Sequence, residues 1–168
     1  MKTRSATLTL FAFVAVLTLA WAAAAECPPC GWVEETAWAE GCRYNENGRG
    51  NWAMFTCLWE TPRTIDLIAG QHFVAGTVTL DPSSSECEEG EVEITITLNP
   101  GWRFADVPEN VKIQDYSYED RPSGNPAPGQ FDHKFDAETS PFSVCVPTNC
   151  YYGIHVNVER CVLSNNFA

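Results

Sequence analysis

Between Glu91 and Leu98 the chain reads EVEITITL, an unbroken alternation of polar and apolar side chains. Val92, Ile94, Ile96 and Leu98 share one side and Glu91, Glu93, Thr95 and Thr97 the other, which is the period of a strand with one face buried and one solvated. Such a strand cannot slip by one residue without turning its apolar set into water, so it imposes register on its neighbours. Phe73–Leu80 (FVAGTVTL) alternates similarly, with Val74, Val78 and Leu80 in phase. The turn-rich acidic stretch Asp81–Gly90 (DPSSSECEEG) lies between the two and predicts a hairpin.

The same period recurs along the chain. Tyr151–Val158 places Tyr152, Ile154, Val156 and Val158 on one face and His155 and Asn157 on the other. Shorter strands are expected at Arg63–Ile68, Trp102–Phe104, Val111–Gln114 and Phe142–Val146, and the aromatic-rich Asn51–Trp59 reads as a strand buried on both faces. Val33–Glu40 fits either a turn or two of helix or an edge strand. Gly or Pro interrupts nearly every interval, and Tyr116–Gln130 is expected to be a long proline-rich loop. Eight or nine short strands with frequent turns predict an all-β fold, an antiparallel β-sandwich.

Lys2 and Arg4 precede a twelve-residue apolar run, Leu8–Leu19, that is too short to span a bilayer, and Ala23-Ala24-Ala25 then offers a small-residue cleavage pattern. These features predict a signal peptide over residues 1–25 and one secreted domain over 26–168, with no membrane association after cleavage. Without Lys2 and Arg4, 8 basic side chains face 22 acidic ones, a formal charge of −14. A surface so anionic repels phosphate backbones, which excludes nucleic acid as a partner.

All eight cysteines (Cys27, Cys30, Cys42, Cys57, Cys87, Cys145, Cys150 and Cys161) follow the cleavage point, so four disulfides are expected. Short spacing across turns suggests Cys145 with Cys150 and Cys42 with Cys57. The other four would then tie the N-terminus to the last strand or to the acidic loop. Cys27-Pro28-Pro29-Cys30 has the spacing of redox and zinc sites, but it lacks both a following helix and a second matched pair, and reads as a structural staple.

Of the tryptophans beyond residue 25, Trp52 and Trp59 fall in the strand at 51–59 and are expected in the core. Trp32, Trp38 and Trp102 lie near element ends and are the candidates for a surface that stacks against sugar rings. Glu86, Glu88 and Glu89 are candidate weak calcium ligands, and no other cofactor is expected. The histidines His72, His133 and His155 have no partner at metal-ligand spacing, although His133 is flanked by Asp132 and Asp136, and no Gly-x-Ser-x-Gly elbow is present. No catalytic residue is assigned.

Taken in order, Thr36-Ala37-Trp38-Ala39, Gly50-Asn51-Trp52-Ala53, Ala69-Gly70-Gln71-His72, Gly76-Thr77-Val78-Thr79, Gly101-Trp102 and Pro128-Gly129-Gln130-Phe131 form a pattern. It resembles a family of secreted microbial surface modules, found alone or appended to larger extracellular proteins, over about Thr36 to Val158. The resemblance implies an extracellular β-sandwich. It also implies a histidine after the Gly-Trp element, where this chain has Asn110, and one in the final strand, where it has His155. The resulting expectation is a non-catalytic structural or adhesive module of a cell surface or extracellular matrix. Its partner would be an extracellular protein, a glycan or a second copy, with Glu26–Glu40 docking as an added strand. A carbohydrate- or calcium-binding module is the alternative.

Overall fold

The computed structural model describes residues 31–47 and 50–162, so the leader expected at 1–25 and the Cys27-Pro28-Pro29-Cys30 segment lie outside the described residues. Eleven strands follow one another: β1 (Gly31–Ala39), β2 (Cys42–Arg43), β3 (Met54–Cys57), β4 (Arg63–Ala69), β5 (Phe73–Asp81), β6 (Glu91–Leu98), β7 (Trp102–Phe104), β8 (Val111–Tyr116), β9 (His133–Phe135), β10 (Phe142–Pro147) and β11 (Tyr151–Val162). The expected class, all-β and antiparallel, is what the chain adopts. Hydrogen bonding joins the strands into one open sheet, and the two that were not expected, β2 and β9, are only two and three residues long.

The sheet runs β10-β6-β5-β4-β1-β11, and β11 then carries β8 and β7 along its far edge, with β9 beyond β8. It curls so that its ends meet. Phe142 of β10 packs edge-on against Phe104 of β7 at 6.0 Å and is tilted against Phe135 of β9 at 6.2 Å. The concave side holds the main core, where Val92, Ile94 and Ile96 of β6 join Val111 and Ile113 of β8 and Tyr152, Ile154, Val156 and Val158 of β11. The alternation read from the sequence is therefore the core itself. Tyr152 is buried among these side chains, and its hydroxyl donates to the Pro147 carbonyl at 2.9 Å, tying β11 to β10.

The convex side is not simply solvated. Trp38, Tyr44, Ala53, Phe55 and Phe131 form a second core there, built from the excursion between β1 and β4 and from the loop after β8. Gly153 makes this possible, since a Cβ at that position would lie 1.9 Å from the Tyr44 hydroxyl. The proline-rich loop is thus a cover: Phe131 is buried, and the Gly124 amide donates to the Tyr44 carbonyl at 3.0 Å.

Two strand expectations are corrected by pairing. Val33–Glu40 is neither helical nor wholly an edge: β1 pairs with β11 from Gly31 to Trp38 and with β4 from Ala37 to Ala39. Burial follows that change, with Ala37, Trp38 and Ala39 enclosed while the preceding residues stay open on one side. Val74, expected in phase with Val78 and Leu80, is exposed instead. A bulge sets Leu67 opposite Gly76 but Ile68 opposite Val74, so Ala75 takes the core position and Val74 turns outward.

Asn110 joins the loops at one end. Its amide donates to the carbonyls of Ala105 (3.0 Å) and Ala137 (2.9 Å), and its oxygen accepts from the Ala137 amide at 2.8 Å, all in a buried setting. Replacing it by Ala strands three buried backbone groups, each costing about 1 kcal/mol or more. Urea unfolding of Asn110→Ala is expected to show a loss of about 3 kcal/mol with an unchanged slope.

Candidate functional site

The aromatic residues expected to form one surface platform are dispersed over both faces of the sheet. Trp32 stands opposite Cys161 on the convex side, and its ring is capped by the Arg103 guanidinium at 4.1 Å. That guanidinium is itself paired to Glu159 at 2.5 Å. Trp38 lies on the same side but is only 4% exposed, because Tyr44, Phe131 and His155 pack edge-on around it at 5.0–6.1 Å. Trp102 faces the concave side, opposite Arg160, and packs on the main core. Trp59, expected in the core, is 50% exposed two residues beyond the end of β3, and Arg63 covers one ring face at 4.4 Å. Trp52 is partly buried against the second core, as the sequence reading anticipated in part.

The calcium candidates do not converge either. Glu86, Glu88 and Glu89 are all exposed in the β5–β6 connection, and nearby carboxylates are engaged locally. Glu91 accepts from the Glu88 amide and Glu93 from the Ser84 hydroxyl. Among the described residues the one grouping with ligand-like spacing is Cys87, Glu91 and Cys145, and its two sulfurs are bonded to each other. That Cys87–Cys145 disulfide, with Cα atoms 5.6 Å apart, replaces the expected Cys145–Cys150 pair. Its physical basis is that β10 pairs with β6, which brings Cys145 under the acidic connection rather than back across its own turn. Cys161 is also disulfide-bonded, whereas Cys42, Cys57 and Cys150 are unbonded thiols, contrary to the expectation of four complete bridges.

Where large apolar side chains do gather at the surface is the open end of the curled sheet. Val33 is 42% exposed and Phe73 38% exposed. Arg160 stands opposite both Val33 and Trp102, and its guanidinium lies 4.3 Å over the Phe73 ring. Phe73 and Trp102 are tilted against each other at 6.3 Å. Val74, beside Phe73 at the hairpin tip, faces the other way and is 46% exposed. Next to this patch, among the described residues, Gly31–Glu35 pairs along one edge only. Sequence reading missed the patch because it took Phe73 and Val74 as strand interior. The signal was present in Gly70 and Gln71, whose positive φ angles (53° and 70°) make the tight turn that puts both residues at a tip.

Two histidines are engaged within the fold. His133 Nε2 lies 2.8 Å from Asp115, whose other oxygen accepts from Asn149 at 3.0 Å. Burial alone would raise the Asp115 pKa, but these hydrogen bonds outweigh it and hold the carboxyl below the usual range. The acids flanking His133 in sequence go elsewhere: Asp132 accepts from Gln114 and Asp136 from the Glu109 amide. His155 is 7% exposed, edge-on to Trp38, with Nδ1 buried and unpartnered. Lys112, not Asn110, stands opposite it across the sheet, and Asn110 serves as the loop clasp.

No protein-family model, curated protein or solved structure matches the chain.

Burial, reinforced by Lys112, lowers the His155 pKa from 6.5 to about 4. The unfolded chain therefore binds this proton between those values while the folded one does not, so stability falls as pH drops through that window. The loss is about 3 kcal/mol by pH 4. Asp115 acts in a separate window, below the ordinary carboxylate range. In His155→Phe, urea unfolding between pH 7 and pH 4 is expected to show a flatter acid limb.

Proposed function

We propose that this chain is a secreted, non-catalytic structural or adhesive module of a cell surface or extracellular matrix, assembling with further copies of itself. The observation that carries this reading is the apolar end patch of Val33, Phe73 and Trp102 around Arg160, flanked by the one-sided edge of β1. Contiguous exposed apolar surface is the usual mark of a protein contact, and an adjacent unpaired strand edge adds backbone donors and acceptors to it. Export supports the same reading through the leader pattern at 1–25, as does the Cys87–Cys145 bridge, which suits an oxidising compartment.

The manner of assembly differs from the one expected from sequence. Residues 31–39 of the N-terminal segment are a strand of their own sheet, so this part is the acceptor of a contact and not the donated strand. Glycan stacking is less well supported, since Arg63 covers one ring face of Trp59 and Trp32 is capped by Arg103.

Sedimentation velocity over a range of concentrations tests the proposal. The wild type is expected to associate reversibly, and Val33→Glu and Phe73→Glu are each expected to shift it to monomer while losing no more than about 1 kcal/mol of stability. A wild type that stays monomeric at the highest concentration contradicts the assembly reading.

A further inference from the structure

Strand β1 is paired unequally. Ala37–Ala39 lie against β4, but among the described residues Gly31–Glu35 have a strand on the β11 side alone. Backbone hydrogen bonds fix which groups face the open side. The Thr36 carbonyl accepts from the Gly70 amide at 3.0 Å and the Glu40 amide donates to the Asp66 carbonyl at 2.8 Å, so both residues turn their backbone groups away from β11. That direction alternates along a strand, and Trp32 and Glu34 therefore point their amides and carbonyls at the open edge. Their side chains share the convex face, opposite Cys161 and Glu159, while the exposed Val33 is on the concave face opposite Arg160.

Such an edge is complementary to itself. Two copies related by a two-fold axis perpendicular to the sheet pair antiparallel, and residues that point inward must then face each other, which puts the axis on a residue. An axis at Glu34 or Glu35 sets like charges directly opposite, and at Glu34 it also sets Trp32 against Thr36, whose carbonyl Gly70 already engages. An axis at Trp32 sets Val33 against Gly31 and leaves it without an apolar partner. Placed at Val33, the axis sets valine on valine and Trp32 against Glu34 twice, with about four backbone hydrogen bonds.

We infer that a second copy of this chain docks edge to edge on β1 with Val33 on the two-fold axis, making one continuous sheet from two chains. This contact rests on the assembly proposed above and gives its geometry. It joins the two exposed patches, since Arg160, stacked on Phe73, stands beside each valine. It also sets the second copy's Glu34 beside Trp32, whose ring the Arg103 guanidinium caps at 4.1 Å. A carboxylate thus comes to one of the few cationic points on a chain with 22 acidic and 10 basic side chains. An unpaired strand edge is a template for this kind of pairing, and β1 carries no proline in 31–39 to block it.

The test uses the full chain at concentrations where sedimentation velocity shows the wild type associating. Hydrogen exchange of the wild-type Trp32 and Glu34 amides is expected to slow as concentration rises, since association closes the edge they face. In Val33→Cys the two Cα atoms at the axis lie about 4.5 Å apart, within reach of a disulfide. Mild oxidation and peptide mapping without reduction are expected to give a 33–33 bridge there and no 34–34 bridge in Glu34→Cys. Association with no added protection at Trp32 and Glu34, no 33–33 bridge, or a 34–34 bridge as abundant overturns the edge pairing and leaves assembly to another face. A wild type that stays monomeric removes the assembly reading and this contact together. The exchange measurement needs no variant and decides even where Val33→Cys folds poorly.

Discussion

Strand β11 is paired along both edges, and the rest of the fold depends on that arrangement. β1 and β3 lie along one side and β8 and β7 along the other. Its alternate residues then serve two different interiors. Tyr152, Ile154, Val156 and Val158 enter the main core, while Tyr151, Gly153 and His155 lie under the second one. A register slip of one residue would exchange the two sets, putting a histidine and a glycine where the main core needs volume. The same strand carries Arg160 of the exposed patch near its end and begins at Tyr151, opposite the unbonded Cys57 beside a surface groove. Both surface features are therefore fixed to the most enclosed part of the molecule.

Much of the sheet was legible because its signal is local. β6 coincides with the strand read from EVEITITL, β7 with the short strand at 102–104, and the β5–β6 hairpin with the acidic turn. β2 and β9 were not legible, since two or three residues carry no period and exist as strands only through β3 and β8. Val74 was misread because a bulge reverses phase inside a strand, and Gly76 beside it was the available warning.

The surface was harder to read than the core. Trp38 alternates onto the convex side, which a half-buried sheet would leave wet, and only the later packing of Tyr44 and Phe131 encloses it. Trp59 stands just past the end of β3, where it stays half exposed with Arg63 over one ring face. Disulfide pairing went astray for a related reason. Cys145 and Cys150 are close in sequence, but the alignment of β10 with β6 places Cys145 next to Cys87. In each case the deciding partner is far away in the chain, beyond the reach of spacing arguments.

Hydrogen exchange resolved residue by residue tests most directly whether β11 holds both cores together. Amides from His155 to Val158, where β1 lies along one edge and β8 or β7 along the other, are expected to be the slowest in the protein and to open only with global unfolding. Exchange of β11 well before β5 and β6, with those strands still protected, would contradict the account.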